Sequence, residues 1–195
     1  MRTPRYGHLM ARRMLTISVA ALTLALTGCA PSGGLVIDSA GIDGGGGSVC
    51  FFDDLAGEAA IFGVGITNTS DTELTITDVT LDRQNTVLVS EIAITDGDPN
   101  ELGWGTGRTD AIEPSQRQGW ESRSPAVGAS IAAGDRAWLL IVARSGGPPE
   151  QRTGFRGVRV EFDGAPWMRS TENENVYGFG PATEDCDAGM EDETT

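Results

Sequence analysis

The feature that most restricts how this chain can fold is a period of two in its apolar residues. Phe62, Val64 and Ile66 alternate with Gly63, Gly65 and Thr67, and only a strand sends successive side chains to opposite faces. Asn68-Thr69-Ser70-Asp71 follows, made of residues whose side chains bond their own backbone in turns. Leu74 and Ile76 then alternate with Thr75 and Thr77. The phase slips at Asp78 before Val79 and Leu81 resume it, which predicts a bulge or a bend between sheets. Val87 to Ile94 is a further β-branched run, closed by Asp96-Gly97-Asp98-Pro99. Ala137 to Ala143 is apolar on both faces, as a central strand would be, whereas Val158, Val160 and Phe162 alternate with Arg159, Glu161 and Asp163. Val176, Tyr177 and Phe179 mark a last strand. No segment keeps a helical period with caps, and 53–59 has room for one short turn at most. Short strands separated by frequent turns predict an all-β fold, an antiparallel β-sandwich.

The first residues carry a different pattern. Arg2, Arg5, Arg12 and Arg13 occur without an acid, and Met14 to Thr27 is a 14-residue apolar stretch. That is shorter than the about 20 residues a helix needs to span a bilayer, and it fits the apolar region of an export signal. The stretch closes on Leu26-Thr27-Gly28-Cys29, which resembles the lipobox of bacterial lipoproteins. The resemblance implies cleavage between Gly28 and Cys29 and a diacylglyceryl group on Cys29. It would hold the mature chain on the extracytoplasmic face of the cell membrane. An ordinary secretory signal with an incidental cysteine is the plainer alternative. Arg12-Arg13 resembles in part a twin-arginine signal, although Thr16 interrupts the apolar run.

Past Cys29, glycines dominate: Gly33-Gly34, then Gly44 to Gly47 before Ser48. Such segments have large backbone entropy and little to bury. The reading is a tether over 29–48, a sandwich domain over 49–186 and an acidic tail over 187–195. Leu35-Val36-Ile37 is open to either role, tether or sheet edge. With Cys29 lipidated, Cys50 and Cys186 remain at the two ends of the domain, and outside the cytoplasm they are expected to pair. They lack the Cys-x-x-Cys spacing and basic neighbours of a redox pair. The segment VGITNTSDTELTITDVTL resembles the early strands of immunoglobulin-like domains of actinobacterial and other bacterial lipoproteins. The cysteine pair of antibody-type domains is not matched, so the resemblance implies an immunoglobulin-like sandwich and transfers no functional residue.

Charge and residue types narrow the function. The chain has 14 basic residues, all arginine, against 28 acids and one histidine, His8. Removal of residues 1–28 takes away four arginines, no acid and that histidine, moving the net charge from −14 to −18 over 167 residues. Without Lys or His, a mature chain has no Ser-His-Asp, Cys-His or Ser-Lys machinery and no imidazole metal ligand. Strong acidity also opposes nucleic-acid binding. No phosphate-cradling motif is present, and no cofactor is expected.

Two segments remain as candidate sites. Asp96, Asp98 and Asn100 offer oxygens at alternate positions, as a calcium cage does. An EF-hand would need Gly where Glu101 stands and Glu where Gly107 stands, so an acidic turn is the favoured reading. Trp104, Arg108 and Trp120 lie in the long irregular stretch 97–126, a pattern suited to stacking on a glycan or to protein contact. The competing and favoured reading is that these tryptophans fold back to cap the sandwich. The expected function is non-catalytic: a membrane-anchored domain that binds a protein or glycan partner at the cell surface. Its rivals are an accessory subunit of an envelope complex, a calcium-dependent module and, last, a hydrolase working through paired carboxylates.

Overall fold

The computed structural model describes residues 33–38, 47–51, 58–97, 106–148, 150–165 and 168–180. Its strands are β1 (Leu35–Ile37), β2 (Ser48–Phe51), β3 (Ala60–Asn68), β4 (Leu74–Leu81), β5 (Val87–Asp96), β6 (Thr106–Arg108), β7 (Ser124–Pro125), β8 (Ser130–Ile131), β9 (Arg136–Ser145), β10 (Thr153–Asp163) and β11 (Ser170–Phe179), with one helix, α1 (Arg117–Ser122). Among the described residues they form two sheets. The first runs β1-β3-β9-β5-β7, with β6 also on β3, and the second runs β2-β11-β10-β4-β8. Every pairing is antiparallel except that of β2 with β11. The sandwich expected from the sequence is the fold observed.

The alternation in the sequence is the wall of this core. Phe62, Val64 and Ile66 from the first sheet meet Phe155, Val158, Val160 and Phe162 from the second, all buried. Phe62 is the keystone. Its ring lies 5.4 to 5.8 Å from Phe51, Phe155, Tyr177 and Phe179, edge-on to each, the geometry favoured by aromatic quadrupoles. Phe155 and Tyr177 stack at 4.8 Å beneath it. The slip read at Asp78 is a true bulge: Glu161 pairs with Asp78 and Phe162 with Ile76, leaving Thr77 extra.

Four expectations change. Leu35–Ile37 is strand β1, paired with Ile66–Asn68, and Ser48 already belongs to β2. The segment 29–48 is therefore not tether throughout. The last strand does contain Val176, Tyr177 and Phe179, but it extends back to Ser170. A six-residue helix that the periodicity did not announce, α1, crosses the outside of the first sheet. Trp138 does sit on a central strand, but it is half-buried on the outer face, in a smaller cluster with Ile61, Ala93, Leu140, Ile112 and Trp120. Two successive apolar faces on β9 serve two different cores.

Each strand direction fixes two ends of the sandwich. The β3–β4, β8–β9 and β10–β11 turns gather at one end. The β4–β5 and β9–β10 turns gather at the other, about 30 Å away at the rise of a ten-residue strand.

Candidate binding cleft at the β10 bulge

Near this second end the ladder between β10 and β11 breaks. Arg156 pairs with Val176 and Val158 with Asn173, so one residue of β10 faces two of β11. Gly157 absorbs the break at φ +82, and a Cβ there would lie 3.0 Å from the Asn173 carbonyl oxygen. Glycine adopts this conformation without penalty.

The β4–β5 turn is fastened to the broken edge. Asp82 N donates to Gly157 O at 3.2 Å and Arg156 N to Asp82 O at 3.0 Å, while Asn85 and Gly154 exchange bonds of 2.8 and 3.0 Å. Arg83 and Thr86 are held at φ 45 within this turn, a left-handed conformation that is rare for side-chain-bearing residues and worst for β-branched ones. Turn and bulge together wall a cleft of about 380 Å³ lined by Asp82, Arg83, Arg156, Gly157, Glu172, Asn173 and Glu174. Charges of both signs face it. Arg156 is half-buried, and among the described residues its guanidinium makes no hydrogen bond or ion pair.

The cleft floor is rigid for a separate reason. Asn173 is buried and accepts from Val158 N at 3.1 Å, where the ladder is interrupted. Its amide donates to the Tyr177 hydroxyl at 3.1 Å, and so does that of Asn175. Asn175 in turn accepts from Gly47 N at 2.9 Å. Burial pushes the Tyr177 phenol above its ordinary 10.0, against the two amide donors that would lower it. A buried polar network fully engaged in this way fixes side-chain positions.

The residues singled out from the sequence lie elsewhere. Arg108 binds Glu58 and grips Asp110 in a two-pronged pair at 2.9 Å for each bond, and this pairing holds the Asp110 carboxyl below its usual range. Trp120 is half-buried against the outer cluster of the first sheet. Arg123 lies 3.6 Å above its ring, bonds its carbonyl at 2.6 Å and reaches Glu91 at 3.0 and 3.2 Å. Trp120 thus packs on the outer face of the first sheet. Asp96 is exposed at the end of β5. Trp104, Asp98, Asn100, Gly28, Cys29 and Cys186 lie outside the described residues. Among the described residues no three acidic, Cys or His side chains converge on a metal position.

The cleft residues carried little sign in sequence. Gly157 stands where the phase slips between Phe155 and the Val158-Val160-Phe162 alternation, and Asn173 and Asn175 place amides where a buried strand face should be apolar. Those two irregularities were the available clues.

No known protein family matches the chain, and no curated protein matches it. Solved structures resemble it at low identity. The PapD-like domain 7 of human CEP192 is 13% identical, with 80% of this chain and 89% of that chain covered and a TM-score of 0.40. The periplasmic chaperone SfaE is 10% identical over 76% of this chain and 58% of its own, with a TM-score of 0.33. The CooA pilin subunit of enterotoxigenic Escherichia coli is 10% identical over 76% of this chain and 98% of its own, also at 0.33.

Proposed function

We propose that this chain is a lipoprotein held by a lipid on Cys29 at the extracytoplasmic face of the membrane, and that its sandwich is a non-catalytic binding domain. The observation that carries the binding role is Arg156, a half-buried guanidinium without a protein partner among the described residues, in a cleft that also bears Asp82, Glu172 and Glu174. A half-buried guanidinium left to solvent forgoes the charge-assisted bonds it is built to make. A ligand offering a carboxylate to Arg156 and amine or hydroxyl donors to the acids complements such a site; a peptide segment and an acidic glycan both qualify.

The non-catalytic reading is supported by residue types, since the mature chain would contain neither Lys nor His. Anchoring is supported by Leu26-Thr27-Gly28-Cys29 after an apolar stretch of signal length. No helix among the described residues is long and apolar enough to cross a membrane. A Cys50–Cys186 disulfide belongs to the same proposal. One observation supports it: β2 places Cys50 beside Gly178, eight residues before Cys186.

The binding role is tested by placing a photo-crosslinking residue at Glu174 or, as control, at Thr80 on the polar face of the same sheet. A discrete adduct in living cells from position 174 alone, lost on Arg156→Ala, is expected. No adduct from either position would remove the cleft as a binding site. For the anchor, Cys29→Ala should release the chain or leave it unprocessed, and unchanged processing and membrane retention would overturn lipidation.

A further inference from the structure

We infer that β1 is a docked strap that sets the orientation of the domain on the membrane, with the β3–β4 end facing the bilayer and the cleft directed away from it. The inference rests on the proposed lipid at Cys29.

The docking is built from both backbone and side chains. Leu35 and Ile37 are 1% and 6% exposed and belong to the main core. Thr69 N donates to Gly34 O at 2.9 Å and Asp38 N to Gly65 O at 2.9 Å, flanking the three-residue ladder at both ends. Thr69 Oγ1 also donates to Gly34 O at 2.8 Å. The two glycines are needed for this approach. A Cβ on Gly33 would lie 2.2 Å from the Thr69 carbonyl oxygen, and one on Gly34 would lie 2.9 Å from Met168 Sδ and 3.2 Å from the Phe162 ring. Gly33-Gly34 is thus fitted against the β3–β4 and β10–β11 turns, and the chain enters the domain at that end.

Chain length then decides the geometry. Were 29–48 all tether, its root-mean-square reach would be roughly 25 Å, enough for the domain to present any side. With β1 docked, only four peptide steps separate Cys29 from Gly33, and even fully extended they span at most about 14 Å. The domain is about 30 Å from end to end along β9, so the far end cannot turn under to meet the bilayer without undocking β1. Asp71, Glu73, Asp135 and Asp163 lie at the near end, against Arg136 and Arg169. An anionic surface repels this end, but over a Debye length of about 8 Å. The short tether can span that gap, so repulsion lifts the domain without inverting it. The cleft, between the β4–β5 turn and the β10 bulge, is left facing outward.

The test uses the full-length lipidated chain reconstituted in phosphatidylcholine vesicles that carry nitroxide on their headgroups. Fluorophores are attached at Asp71→Cys, in the β3–β4 turn, or at Glu150→Cys, in the β9–β10 turn, changes that remove the same charge at opposite ends. Quenching is expected to be several-fold stronger at position 71. A Gly-Ser insertion of about ten residues after Pro31, which leaves β1 intact, should erase most of that difference. Equal quenching at the two positions in a chain that floats with the vesicles would overturn the orientation while leaving the anchor standing. A chain that does not float would instead overturn the anchor, and the orientation with it.

Discussion

At the scale of single residues, the structure concentrates its polar specificity in two asparagine sites. Asn68 is fully buried; its amide donates to the carbonyls of Thr72 and Ile131 at 2.8 Å and of Ala132 at 3.1 Å, and its Oδ1 accepts from the Ser70 N–H and hydroxyl. Asn68→Asp replaces a donor by an acceptor facing three carbonyl oxygens. It is expected to destabilise by at least about 3 kcal/mol, read as a drop in the urea midpoint at unchanged slope. The second site is the Asn173–Tyr177–Asn175 network. Of the two tyrosines in the chain, Tyr6 lies in the predicted export signal, so ultraviolet titration of the mature domain reports Tyr177 alone. Its midpoint should fall above 10.0, because burial penalises the phenolate. The sign for stability follows. Below pH 10 the phenol is protonated in both states and the folded state keeps its full advantage. As pH rises past 10 the unfolded chain ionises first, so stability declines until the folded-state pKa is passed. Melting temperature followed across pH 10 should show this decline, and Tyr177→Phe should remove it. That variant should also lose about 1–3 kcal/mol at neutral pH, because two buried amides lose their acceptor.

At the scale of elements, the informative features are the irregular ones. Gly157 sits at φ +82 and Gly164 at φ +109, where a Cβ would lie 2.6 Å from the Glu73 carbonyl oxygen. Gly164→Ala should therefore cost more than Gly157→Ala, and each should exceed the about 1 kcal/mol of conformational strain alone; thermal unfolding of the pair orders them. β1 offers a second element-level test. Leu35→Ala should destabilise by about 2–5 kcal/mol, whereas a segment belonging to a tether would tolerate it without change. The edge stretch of β5, Val87–Ser90, has no paired strand on its outer side among the described residues. A register shift between Val89 and Glu91 breaks its regularity, and Glu91 is held by Arg123. Both devices discourage edge-to-edge association.

At the scale of the whole molecule, Phe62 joins the two sheets through four aromatic partners, and β2 beside β11 joins the beginning of the domain to its end. If Cys50 and Cys186 are linked as proposed, reduction under native conditions should lower stability by about 4 kcal/mol, the loop-closure entropy of a long loop. Reduction of a Cys50→Ala variant should then change nothing, which separates disulfide loss from general effects of reductant.

The sequence by itself determined the class of the fold and the position of most strands. Burial on a sheet demands a period of two, and Phe62-Val64-Ile66, Leu74-Ile76 and Val158-Val160-Phe162 could satisfy it in only one way. It also determined the chemistry open to the chain, because an absent side chain is absent in every conformation. Tertiary structure decided what local pattern leaves degenerate. Leu35-Val36-Ile37 is too short to declare a strand, and its place was set by the open edge of β3 and the space beside Phe162. Trp138 sits in a run apolar on both faces, so only the packing of α1 and Ile112 could show which core it serves. The cleft is legible only in three dimensions. Asp82, Arg156 and Asn173 are distant in sequence, and a single bulge, made affordable by Gly157, brings them to one wall.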